Sequence, residues 1–273
     1  MTATPRNTTN DATVVYAESR PAQAVLDRLA TRAMGLSGAD VERIVRQARL
    51  KARREKRPIR YEDLEEGIRL DRPPVPYDLR WRFAVHEAGH AVVHHALGLG
   101  PIHGLNIDTG QGGYNLLGFH PSGTDTPQWY ENMLAMMMAG RAAEALVLKR
   151  ISGGSGGTDN SDLARATRIA FDMERTLGLG AEHPLLYRPH PSPGEVFDRD
   201  LELAARVHAR LEAALDRARA ILTERRDVFN GLIRALFDAQ ALDEQAVVRI
   251  LTRSDLQTEA DSRAADEPSR REG

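Results

Sequence analysis

Apolar residues recur at intervals of three and four along most of this chain, the spacing of one helical face. The pattern begins near Ala22. Residues 1–20 before it are polar and aperiodic, which reads as a flexible lead-in. Ser37-Gly38-Ala39-Asp40 has the form of a capping box, a hydroxyl followed three residues on by a carboxylate. The helix it opens is expected to bury Val41, Ile44, Val45, Ala48 and Ala52, with Arg43, Arg46, Arg49, Lys51, Arg53 and Arg54 on its other faces. Pro58 stops it, and Tyr61 to Ile68 predicts a further short helix. Pro73, Pro74 and Pro76 then hold the chain extended, a stiff boundary between two parts.

Beyond the prolines a helix over 78–97 is predicted. It is apolar on most sides (Phe83, Val85, Ala88, Ala91, Val92, Val93), so it should be buried, and Gly98 is placed to cap its C-terminus. Two extended runs, 105–107 and 114–119, flank a glycine-rich stretch ending at Gly113 and predict a hairpin or small sheet. Thr126-Pro127 opens another helix, as cap and first-turn proline, with Met133, Met136, Met137, Ala139, Ala143 and Leu146 inward. Gly153 to Gly157 is expected to be a flexible loop, followed by a helix from Ser161 to Leu177. Residues 197–251 read as two or three helices, and the apolar-poor, charged 254–273 as a disordered tail. The expectation is a mainly α fold with a small β element, divided into 1–20, 21–72, 73–253 and 254–273.

Composition narrows the chemistry. The 273 residues can bury a sizeable core, and 37 basic against 39 acidic side chains leave a formal charge of -2. That balance predicts no nucleic-acid partner, and the basic helix after Asp40 reads as a solvated face. There is no cysteine, so disulfides, thiol catalysis and thiolate metal sites are excluded. A metal here must be held by histidine and carboxylate. No apolar run approaches the roughly 18–20 residues of a membrane-spanning helix, and the first residues lack the basic-then-apolar order of a secretory signal. The expected compartment is the cytoplasm.

The strongest chemical signal is His86-Glu87-Ala88-Gly89-His90. On a helix, positions i and i+4 share a face, so both imidazoles can converge on one Zn²⁺ at about 2.1 Å. Glu87 then adjoins the open coordination position, where it can act as general base towards water. The motif lies in an apolar segment, where two imidazoles and a carboxylate are costly to bury without a shared partner. His94 is one turn further along the same face, but about 12 Å from His86 along the axis, too far to share the ion. The third ligand must come from another segment. Asp162, in the first turn of the helix after the glycine loop, and Glu144, among the apolar residues of the Met-rich helix, are the two candidates. Spacing alone does not choose between them.

These motifs resemble the FtsH family of membrane-anchored, ATP-dependent zinc proteases. The matching stretches are Gly35-Leu-Ser-Gly-Ala-Asp40, His86-Glu-Ala-Gly-His-Ala-Val-Val93, Ala139-Gly-Arg-Ala-Ala-Glu144, Asn160-Ser-Asp162 and Arg225-Arg-Asp227, within residues 25 to 251. The resemblance implies a zinc endopeptidase acting on unfolded or damaged polypeptides, with Asp162 as third ligand and Glu144 near the metal but not bound to it. It implies further that residues 21–72 are similar to the helical lid subdomain of an AAA+ ATPase, and that the peptidase forms a hexameric ring. The chain departs from the family in lacking a G-x-x-x-x-G-K-[ST] phosphate loop, so no ATP hydrolysis is expected of it alone. Either the chain is a piece of a longer enzyme, or a separate AAA+ ATPase supplies unfolding, or it cleaves already-unfolded peptides without energy input; the sequence does not choose among these. The alternative is a catalytically inactive assembly module of such a protease, against which stand the intact His86, Glu87, His90 and Asp162.

Overall fold

The computed structural model describes residues 23, 25–72, 75–109, 112–121, 123–189 and 193–252. The lead-in 1–20 and the tail 254–273 lie outside the described residues. The chain divides into two compact units between residues 73 and 74.

The first unit comprises helical turns over 25–32 (α1), α2 (Gly38–Arg54) and α3 (Tyr61–Leu70). Ser37 caps α2: its hydroxyl accepts from the Asp40 amide at 3.2 Å, and the Asp40 carboxylate accepts from the Ser37 amide at 3.1 Å. Ile44, Ala48 and Ala52 turn inward, as does Ile68 of α3. Gly67 lets the two helices close, since a Cβ there would come within 2.7 Å of Ile44 Cγ2. Val41, expected inside, is 40% exposed. The reason is length: α3 ends at the level of Arg43, which Asp71 meets at 2.7 Å, and leaves Val41 uncovered beyond it. Between the helices Arg57 grips Asp63 through two bonds of 2.6 and 2.7 Å and holds its carboxyl well below the usual carboxylate range. Arg46, Arg49, Arg53 and Arg54 are exposed.

The second unit runs α4 (Tyr77–Ala96), β1 (Ile102–Asn106), β2 (Tyr114–Leu117), α5 (Pro127–Leu148), a 3-10 turn (Gly153–Ser155), α6 (Asp162–Arg175), α7 (Pro193–Phe197), α8 (Leu201–Glu224), α9 (Arg226–Ala239), β3 (Ala241–Asp243) and a helical stretch over 244–252. Thr126 caps α5, its hydroxyl accepting from the Trp129 amide at 3.2 Å, with Pro127 at the first helical position. α4, α6 and α8 all pack on α5, and α9 covers α4. That central place explains why α5 buries residues on nearly every side, among them Met133, Leu134, Met137, Met138 and Ala142. α4 and α5 approach closely because their crossing is built of small residues. A Cβ on Gly89 would lie 2.6 Å from Ala143 Cβ and 2.8 Å from the Ala139 carbonyl oxygen, so only glycine fits. Gly98, at φ 61°, takes the left-handed conformation that ends α4.

The sheet is three-stranded and antiparallel, in the order β2-β1-β3, with Leu105 opposite Asn115 on one side and Leu242 on the other. Its strands differ from the expected runs. β1 starts at Ile102 and stops at Asn106, and β2 ends at Leu117. β3 was not anticipated within 197–251: Gln240 adopts a left-handed φ of 64°, a conformation normally signalled by glycine, and turns the chain out of α9 to pair with β1. The glycine stretch after Ser152 is not wholly irregular, since Ser152 caps its 3-10 turn. Among the described residues no helix is long and apolar enough to cross a membrane.

Candidate metal centre

α4 carries His86, Glu87 and His90 into the interior of the second unit, where each is less than 10% exposed. The tight α4–α5 crossing sets their surroundings. One turn before Gly89 on α4, the His86 ring meets Glu144 of α5, its Nδ1 2.9 Å from Oε1. His90 Nδ1 lies 2.8 Å from the Met136 carbonyl oxygen of the same helix. Gly140 passes directly beneath both rings: a Cβ there would collide with the His86 imidazole and sit 2.6 Å from His90 Nε2.

These contacts suit one tautomer of the neutral rings. With Nδ1–H of His86 donating to a carboxylate and Nδ1–H of His90 to a carbonyl, each Nε2 keeps its lone pair. The two Nε2 atoms are 3.1 Å apart, and Asp162 Oδ2 lies 3.2 Å from each. Asp162 reaches them as the first residue of α6, which Ser161 caps by accepting from the Ala164 amide at 3.3 Å. Three donor atoms therefore point at one spot, an arrangement that a bound cation, or a proton shared between His86 and Asp162, would stabilise. Ligands about 2.0–2.2 Å from a tetrahedral zinc are about 3.3–3.6 Å from one another, so the 3.1–3.2 Å edges observed need open only slightly to take such an ion. Among the described residues, this trio forms the cluster of histidine and carboxylate groups suited to a metal.

The surrounding charges are strongly coupled. Burial disfavours a charged His86 ring, but Asp162 and Glu144 on either side of it outweigh burial and push its pKa up to about 10. Burial would raise Asp162 as well, yet the two imidazoles hold it far below the ordinary carboxylate range. Glu144, 1% exposed, is likewise lowered despite burial, by His86 and by Ser152, whose amide donates at 2.7 Å and hydroxyl at 3.1 Å. Glu87 moves the other way: burial raises its pKa, and the neighbouring histidines oppose the rise only in part. The site opens on a cleft of about 760 Å³ lined by Phe83, Tyr114, Leu117, Met137, Asn160 and Arg165.

The structure thus brings His86, His90 and Asp162 together and sets Glu144 behind His86. His94 is away from them, fully buried with an edge contact to the Phe119 ring at 5.2 Å, and its pKa is driven down to about 4 by burial. His103, His120 and His183 are at the surface, and His190 lies outside the described residues. Several participants carried no warning in the sequence. Asn115, whose Nδ2 donates to Glu87 Oε2, was one polar residue in an apolar run. Ser152 stood at the edge of a glycine stretch, and the Met136 carbonyl has no sequence signature at all.

Two imidazoles and a carboxylate that converge beside a buried acid, on an open cleft, could hold a metal ion and leave a coordination position open, whereas a structural zinc closes its fourth position. Comparison with known proteins supplies the family. The pattern of peptidase family M41 matches residues 78–250, and the chain belongs to that family. It is 31% identical over 244 residues to the ATP-dependent zinc metalloprotease FtsH of Magnetococcus marinus, covering 80% of this chain and 35% of that protein. It is 32% identical over 257 residues to the ATP-dependent zinc metalloprotease FtsH 3 of Sphaerobacter thermophilus (87% and 50%), and 32% identical over 248 residues to FtsH of Pseudomonas putida (79% and 39%). The chain spans half or less of the length of these relatives.

Proposed function

We propose that this chain is a zinc-dependent endopeptidase, with His86, His90 and Asp162 as the ligands and Glu87 as the general base. The supporting observation is the convergence of His86 Nε2, His90 Nε2 and Asp162 Oδ2 within 3.1–3.2 Å of one another, beside a buried Glu87. Zinc held there supplies Lewis acidity, enough to bring the pKa of water down to about 7. Glu87 takes the proton of the attacking water and returns it to the amine nitrogen of the departing product. Burial of its carboxyl raises its pKa, which favours holding the proton until it is returned. Glu144 holds the His86 ring in the tautomer that presents Nε2.

The substrate is an extended polypeptide. β2 is an edge strand beside the cleft, with Tyr114 and Leu116 exposed, and a peptide that adds along it gains main-chain bonds with little sequence preference. That mode suits unfolded or damaged proteins. The relatives are named as ATP-dependent enzymes, which supports work with an ATPase that delivers unfolded chain; an oligomeric ring, with residues 21–72 as its lid-like part, follows from the motif resemblance. Zinc stoichiometry and casein hydrolysis, measured on the purified chain with and without ATP, test the proposal. One zinc per chain and cleavage that disappears in Glu87→Gln, with zinc retained, are expected. Undiminished casein cleavage by Glu87→Gln removes Glu87 from the role.

A further inference from the structure

We infer that Asn115 is a positioning residue for Glu87, so that the edge strand β2, rather than the helix bearing the acid, sets the direction of the base. The inference rests on the reading of Glu87 as base. A glutamate side chain rotates about three torsions, and α4 fixes only where it starts. Two residues on the strand side bound where it ends. The backbone at Gly113 lies against the carboxylate so closely that a Cβ there would collide with it, at 2.6 Å from Cδ. From the strand, Asn115 Nδ2 donates to Oε2 and lies 3.4 Å from the Glu87 carbonyl oxygen. Oε1 therefore faces Gly113 and Oε2 faces the amide.

The rest of Asn115 shows that this donor is what the position uses. Its Oδ1 is buried and has no partner among the described residues. A buried acceptor left unmade destabilises a fold, and a leucine, with the same branched skeleton, would carry no such penalty. Packing thus disfavours asparagine here, while orientation of the carboxylate requires it. Turned over, the amide would set its oxygen against Oε2, so the orientation with nitrogen towards Glu87 follows from the chemistry. Local cost at a residue touching the reacting group is the pattern expected where function overrides stability.

The test uses the full chain loaded with zinc and two variants with apolar side chains, Asn115→Leu and Asn115→Val, neither of which can donate. Loss of alignment lowers kcat by about ten- to a hundredfold while KM for an unfolded peptide stays within about threefold. Zinc content is expected to be unchanged, and the melting temperature of Asn115→Leu is expected to equal or exceed that of the wild type. Independently of activity, the Asn115 side-chain amide resonance, identified by its loss in Asn115→Leu, is displaced downfield and moves upfield in Glu87→Ala. A resonance indifferent to Glu87→Ala, or variants that lose zinc and melting temperature along with kcat, overturn the inference and leave Asn115 a structural residue. Activity lost in Glu87→Gln but full in both Asn115 variants overturns the inference alone. Activity at the wild-type level in Glu87→Gln overturns the reading beneath it.

Discussion

His94 offers a measurement of how dry the interior of α4 is. It lies one turn beyond His90 and is wholly buried, and the backbone of Gly100 and Gly118 near its ring offsets the effect of burial only in part. Burial pushes its pKa from an ordinary 6.5 down to about 4, so the native protein keeps the ring neutral where the unfolded chain protonates it. Between those values the unfolded state binds more protons, and stability falls as pH falls. The 2.5-unit gap corresponds to about 3 kcal/mol in all, of which about 2 kcal/mol accrues between pH 7 and pH 5. Substituting His94→Leu removes the titrating group, keeps an apolar side chain against Phe119, and leaves the proposed ligands His86, His90 and Asp162 untouched. Urea unfolding of both proteins at pH 7 and pH 5, metal-free so that the His86 cluster titrates alike in each, isolates the difference. Trp81 and Trp129 both lie in the second unit and report its transition. The stability of the variant relative to the wild type is expected to rise by about 2 kcal/mol on acidification. Parallel pH dependences, within about 0.5 kcal/mol, would mean that water reaches His94 and would refute the reasoning.

Gly140→Ala puts a methyl group into the His86 and His90 rings, so zinc affinity is expected to fall at least about a hundredfold, read by competition with a colorimetric chelator; near-normal affinity would mean that the α4–α5 crossing can open. Asp162→Ala is expected to weaken zinc retention through dialysis more than Glu144→Ala does, because one removes a converging oxygen and the other only the group behind His86. The opposite order would exchange their roles.

Much of this architecture could be read before any coordinates. The three-four spacing of apolar residues placed α2, α4, α5 and α6 to within a few residues, because helices are local and their caps, such as Ser37 and Thr126, act within four residues. Strand pairing is not local. β3 escaped notice since Ala241-Leu242-Asp243 continues a helical pattern, and only its partner Leu105, more than a hundred residues earlier, makes it a strand. Val41 failed for the same reason, its exposure being set by where α3 happens to end.

At the candidate site the division follows distance along the chain. The sequence by itself determined that His86 and His90 share a helical face with Glu87 beside them, because one turn of helix is a fixed geometry. It left Asp162 and Glu144 as rivals until family resemblance distinguished them, and it was silent on Asn115, Ser152 and the Met136 carbonyl. Only the tertiary structure decided which carboxylate meets both Nε2 atoms, which stands behind His86, and what orients Glu87. Those assignments depend on the crossing of α4 and α5 at Gly89 and Gly140 and on the approach of β2, and such contacts between distant segments are set by packing, which no local spacing encodes.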